Sequence, residues 1–123
     1  MRRTEIRVEP VEAFFERTRR TAELADKHER IPASRVVAFE DVEELLGMLT
    51  QQRVLLLKLL KKTPGSIAEL ARRLKRDRSA VARDVQVLER YGVVEVSEKP
   101  LPGHGRQKWV APIGRDIQLT AHL

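Results

Sequence analysis

Residues 66–92, "SIAELARRLKRDRSAVARDVQVLERYG", constrain the fold more than any other stretch. Ser66 followed by Glu69 is a capping box, in which a hydroxyl and a carboxylate satisfy free backbone amides at a helix start. Ile67, Leu70, Ala71 and Leu74 then share one face at helical spacing. After a connection of a few residues, Asp77 is placed as a second N-cap. Val81, Val85 and Leu88, at i, i+4 and i+7, predict the next helix over about 78–91, and Gly92 stops it. A link this short swings the second helix across the first at a steep angle, apolar face to apolar face.

The flanking segments complete a small fold. "TEIRVEP" (4–10) alternates polar and apolar residues and stops at a proline, as a short strand does. Val11, Phe14, Phe15, Thr18, Ala22 and Ala25 predict an amphipathic helix over 11–29, and "SRVVAF" (34–39), introduced by Pro32, a second strand. Asp41 with Glu44 opens a short helix carrying Leu45, Leu46 and Leu49. Thr50 caps another over roughly 51–62, ended by "TPG". Beyond Gly92, "VVEVSEKPLPGHGRQKWVAP" is a hairpin whose loop holds Pro100, Pro102, Gly103 and Gly105. The expected fold is mainly α with a small β component: a winged helix-turn-helix with an N-terminal strand-helix-strand extension. The expected divisions are an extension over 1–40, the winged domain over 41–113 and a C-terminal tail over 114–123.

Charge points to the partner. Residues 1–49 carry 9 Lys/Arg against 11 Asp/Glu, whereas residues 50–123 carry 15 against 7. The overall net charge of +6 is thus concentrated in the helix pair and hairpin, which favours a polyanion such as nucleic acid. On helix 78–91, Ser79, Arg83, Gln86 and Arg90 lie opposite the Val81/Val85/Leu88 stripe. Ser79 and Ala80 are small in the first turn, where a helix entering the major groove approaches base edges. Arg78 and Arg83 can pair with guanine and Gln86 with adenine. Lys75 and Arg76 in the turn, and the helix start at Ser66 behind Lys61 and Lys62, suit phosphates. His104, Arg106 and Lys108, on a hairpin tip kept slim by glycines, suit the backbone or minor groove. An exposed helix face is polar in any protein, so the case rests on helix, turn and hairpin being basic together.

The run "SIAELARRLKRDRSAVARDVQVLERYGVVEV" resembles the helix-turn-helix core of MarR-type winged-helix transcriptional regulators. The matching elements are "ELA", the residues at 77–81, "LERYGVV" and the glycine-containing wing. "FEDVEELLGMLTQQRVLLLKLL" is further similar to a prokaryotic branch of small regulators, some described as DNA-binding antitoxins. The resemblance implies a homodimer on a palindromic operator, acting as a repressor. It carries Arg78, Ser79 and Arg83 to base or phosphate contact and Arg106 to the wing's contact, and it brings in a toxin protein as a further expected partner. MarR proteins dimerise through long helices at both ends, and "IGRDIQLTAHL" is too short for one. The dimer is therefore expected through residues 1–49.

Other chemistry has little to stand on. The chain lacks cysteine, and His28, His104 and His122 are scattered, so no metal site and no cofactor are expected. Ser66 and Ser79 have no histidine nearby to activate them, and an enzyme is not expected. Asp84, at the buried edge of its helix, is suited to orienting a basic residue, and Trp109 is expected to pack in the core. "VLLLKLL" (54–60) is too short to span a bilayer, so a soluble, cytoplasmic protein without a membrane partner is expected. The competing function is a winged helix used for protein contact, such as an antitoxin that mainly binds a partner protein. RNA binding is disfavoured by the five aromatic residues, too few for stacking platforms.

Overall fold

The computed structural model describes residues 3–28, 34–114 and 116–121. It contains β1 (Arg3–Val8), α1 (Val11–Asp26), β2 (Ser34–Phe39), α2 (Val42–Met48), α3 (Gln51–Lys62) and β3 (Gly65–Ser66). These are followed by α4 (Ile67–Leu74), α5 (Arg78–Arg90), β4 (Val94–Pro100), β5 (Arg106–Pro112) and β6 (Asp116–Ala121). The result is a mixed α/β domain, richer in strand than the sequence suggests. The expected end of the first helix at residue 29, Pro32 and His122 lie outside the described residues.

Local rules set the helix starts. The Glu44 amide donates to Asp41 Oδ1 at 2.8 Å, and the Arg53 amide to Thr50 Oγ1 at 3.3 Å. The Glu69 amide donates to Ser66 Oγ at 3.2 Å. Asp77 occupies the N-cap position of α5, yet its side chain makes no capping hydrogen bond. Gly92, at φ +77°, ends α5 in the left-handed region that glycine adopts without a Cβ clash. A Cβ there would also collide with the Arg35 guanidinium, which lies over the glycine from β2.

Two three-stranded sheets frame the helices. In one, β1 is central and runs parallel to both β2 and β6. Ile6 faces Val37 on one side and Leu119 on the other. The stretch expected as a C-terminal tail is thus a strand over 116–121. In the other sheet, β5 pairs antiparallel with β4 and with the two-residue β3. Thr4, fully buried, ties the sheets together by donating its hydroxyl to the Ile113 carbonyl beyond β5.

One hydrophobic core runs through the molecule. Ile6, Val8 and Phe39 from the parallel sheet join Leu45 and Met48 of α2 and Leu56 and Leu60 of α3. Leu70, Val81, Val85 and Leu88 of the helix pair and Val94 and Val110 of the hairpin continue it. The faces read from spacing in α4 and α5 are the faces that are buried.

Helix α1 is different. It has no buried residue, and only Ala13, Arg17 and Leu24 are half-buried. Its apolar stripe points elsewhere: Val11, Phe14 and Phe15 are 38%, 41% and 63% exposed. Arg17 ties the helix to the link that follows β1 through an ion pair with Glu9 at 2.5 Å, its guanidinium 5.7 Å from the Phe14 ring centroid. On the outer surface Arg19 links Glu16 and Glu23.

Candidate nucleic-acid interface

The turn between α4 and α5 is built by backbone hydrogen bonds. The Arg76 amide donates to Ala71 O at 3.0 Å and the Lys75 amide to Arg72 O at 3.3 Å, the paired bonds of a Schellman end. Lys75 sits at φ 54°, ψ 49°, a left-handed position usually given to glycine, and its side chain is exposed. A non-glycine residue there costs about 1–2 kcal/mol, so the turn keeps a lysine at some expense to stability.

Arg76 turns inward. Its Nη1 donates to Asp84 Oδ2 at 2.6 Å, and Asp84, 8% exposed, also accepts from Arg53 Nε at 3.0 Å. Arg53 Nη1 in turn donates to Gly47 O at 2.9 Å and Met48 O at 3.1 Å, neutralising the end of α2. Four segments thus meet at one carboxylate: the end of α2, the start of α3, the turn and α5. The orienting role expected of Asp84 has its geometry here, with Arg76 as one of two partners. Arg53 was not anticipated, because its partner lies 31 positions away in sequence.

The outward face of α5 carries Arg78, Ser79, Arg83, Gln86 and Arg90, all exposed, while Ala80 is half-buried at the first turn. No carboxylate of the described residues lies within ion-pair distance of Lys75, Arg78, Arg83, Arg90 or Lys108. In the N-terminal segment Arg7, Arg17 and Arg19 are paired with glutamates, while Arg20, Lys27 and Arg35 have no carboxylate at ion-pair distance among the described residues. The basic side chains on the outward face of α5, and Lys108 of the hairpin, are therefore not compensated by ion pairs among the described residues. Charges left unpaired at a surface project a field that attracts polyanions.

Ser66 is only 3% exposed and occupied as a cap, paired across the sheet with Trp109, so its side chain is not presented to a partner. On the hairpin, His104, Arg106 and Lys108 are exposed, and Arg106 stands 3.9 Å from Glu98. Gly103 and Gly105 both take φ +78°, closing the tip with a Leu101 amide to Gly105 O hydrogen bond of 2.7 Å. Trp109 lies outside the hydrophobic core, half-buried, with Lys99 Nζ 4.0 Å from its ring centroid. The expected core packing gives way because Val110, not Trp109, is on the inward face of β5.

The arrangement defines a small mixed α/β protein with a cross-packed helix pair, an antiparallel hairpin and an unpaired basic face. Its fold is shared with a solved structure from Methanosarcina mazei Go1, described as a possible transcriptional regulator. That likeness has 21% sequence identity and a TM-score of 0.52, covering 63% of this chain and 68% of the other. The chain belongs to the HVO_A0114 family, whose model matches residues 48–114, from the end of α2 through the hairpin. No curated protein matches it. No helix among the described residues is long and apolar enough to cross a membrane.

Proposed function

We propose that the chain is a winged helix-turn-helix, MarR-like transcriptional regulator that binds double-stranded DNA in sequence-specific fashion and represses as a homodimer. The observation that carries this reading is a set of exposed basic residues without a carboxylate partner among the described residues: Lys75 in the turn, Arg78 and Arg83 on α5, Lys108 on the hairpin. Helix α5 enters the major groove with Ser79 and Ala80 nearest the base edges, and the hairpin follows the backbone or minor groove. The description of the Methanosarcina mazei structure as a possible transcriptional regulator agrees with this role. The chain binds and positions; no reaction is assigned to it.

The homodimer is formed through the exposed apolar stripe of α1. Val11, Phe14 and Phe15 lie on the side of the helix away from the sheet, where a two-fold partner covers them with the same residues. Two basic faces are then presented to successive half-sites of one duplex.

Selection from a random duplex library with salt titration tests the reading. It predicts an enriched pseudo-palindrome and a log–log salt slope of about −0.9 per phosphate neutralised. Arg83→Ala should cost roughly 1–3 kcal/mol and relax preference at one base position. Absence of any enriched sequence would refute specific DNA binding and favour a surface for protein contact.

A further inference from the structure

A cavity of about 270 Å³ lies between the parallel sheet and α3, beside the core, with Ile6 and Leu57 belonging to both. Its walls are aliphatic: Ile6, Ile117 and Leu119 from the sheet, Val54 and Leu57 from α3. Its polar edge is made by two lysines one helical turn apart, Lys58 and Lys61. Lys61 Nζ stands 3.7 Å from Asp116 Oδ1, a loose and half-exposed pair, and Lys58 has no carboxylate partner among the described residues. Leu119 is 54% exposed beside them, unusual for a leucine on a strand, so the apolar floor is open to solvent.

We propose that this cavity binds a linear alkyl monocarboxylate, its chain against the aliphatic walls and its carboxylate between Lys58 and Lys61. The lining supplies dispersion contact and no hydrogen-bonding side chain apart from the two ammonium groups. It therefore suits a ligand with one anionic end and an otherwise apolar body. Aromatic residues are absent from the walls, so nothing favours a flat ring over a flexible chain. Cations and alcohols of the same length lose the charged contact, and a cation meets two like charges.

The test contains no DNA, so its outcome is separate from that of the DNA-binding reading. Octanoate, octanol and octylamine are titrated into the full chain carrying ¹³C-labelled Ile, Leu and Val methyl groups. Octanoate should shift the methyl signals of Ile6, Leu57 and Ile117 saturably. Octanol should bind at the same methyls about tenfold more weakly, and octylamine should not bind. In the Lys58→Gln, Lys61→Gln double variant, octanoate should weaken to the level of octanol while octanol is unchanged. Both lysines are exposed, so the variant is expected to fold, and unchanged methyl spectra of the free protein check this. Equal binding of octanoate and octanol to the unaltered chain, shifts away from these methyls, or no saturable binding would overturn the proposal. Signals of Ile6, Leu57 and Ile117 that respond to protein concentration alone in the Phe15→Glu chain, where the α1 contact is removed, would show a second copy filling the cavity, and would overturn it as well.

Discussion

Removing the Asp84 carboxylate probes the junction between the helix pair and the rest of the domain. In Asp84→Ala two charge-assisted hydrogen bonds disappear, those from Arg53 Nε at 3.0 Å and Arg76 Nη1 at 2.6 Å. Such bonds contribute roughly 1.5–3 kcal/mol each, and loss of one partner of a buried pair costs about 3–5 kcal/mol. Side-chain exposures of 11% for Asp84, 17% for Arg53 and 21% for Arg76 leave little room for screening by water. Two relaxations lower the figure. Arg53 keeps the Gly47 and Met48 carbonyls, and Arg76, in a turn, can swing out to solvent. The expected loss is therefore about 3 kcal/mol, or about 10 °C in melting temperature for a chain of this size. Arg76→Ala should cost only about 1 kcal/mol, because Asp84 retains Arg53. Urea unfolding followed by Trp109 fluorescence and by circular dichroism measures both variants and their combination. The double variant should be less destabilised than the sum of the singles. A loss below about 1 kcal/mol for Asp84→Ala, or strict additivity, would refute the view that this carboxylate joins the four segments.

Three further outcomes are expected. Lys75→Gly should raise stability by about 0.5–1 kcal/mol, the relief of left-handed strain less the extra chain entropy of glycine. The same change should reduce the salt slope of DNA binding by about 0.9, whereas Arg76→Ala should leave that slope unchanged. Phe15→Glu, at a position 63% exposed in the single chain, should leave the circular dichroism spectrum unaltered and yield a monomer in sedimentation equilibrium, with a melting temperature that no longer depends on protein concentration; an intact dimer would remove α1 from the interface. The Arg19 guanidinium hydrogen-bonds the Glu16 carboxylate and holds it below the usual glutamate range. The folded value lies below the unfolded one, so the stabilisation of α1 is present above the ordinary glutamate range and fades as pH falls through the lowered value. In Arg19→Gln the Glu16 carboxyl should titrate normally by NMR.

What could be read from the sequence follows the reach of the interactions involved. The caps at Asp41, Thr50 and Ser66, the helix over 51–62 and the stop at Gly92 depend on residues three or four apart, and the structure has them where spacing places them. The apolar stripes of α4 and α5 were legible for the same reason. The stripe on α1 was legible too, but not its direction: periodicity gives a face without saying whether the chain's own core covers it. Strand β6 was missed although "DIQLTA" alternates polar and apolar residues as "TEIRVEP" does; the alternation does not name a partner, and the pairing with β1 spans more than a hundred residues. Arg76 reads as a phosphate contact beside Lys75, yet the carboxylate eight residues on, one side of α5 away, draws it inward. Of the candidate interface, the outward residues of α5 and the hairpin tip emerge exposed, whereas Ser66 is enclosed by the ladder it shares with Trp109.

The central position of β1 has a consequence for how the molecule assembles. Its partner on one side is made shortly after it, but its partner on the other, β6, is the last described element of the chain. The helices from α2 to α5 and the hairpin β4–β5 make mostly near-neighbour contacts, which form quickly. During synthesis they can be complete while β1 still has one open edge and the face bearing Ile6 and Val8 awaits its neighbour. An open parallel strand edge is a template for the wrong partner. The risk of misassembly therefore falls on β1, and it ends only when β6 pairs with it.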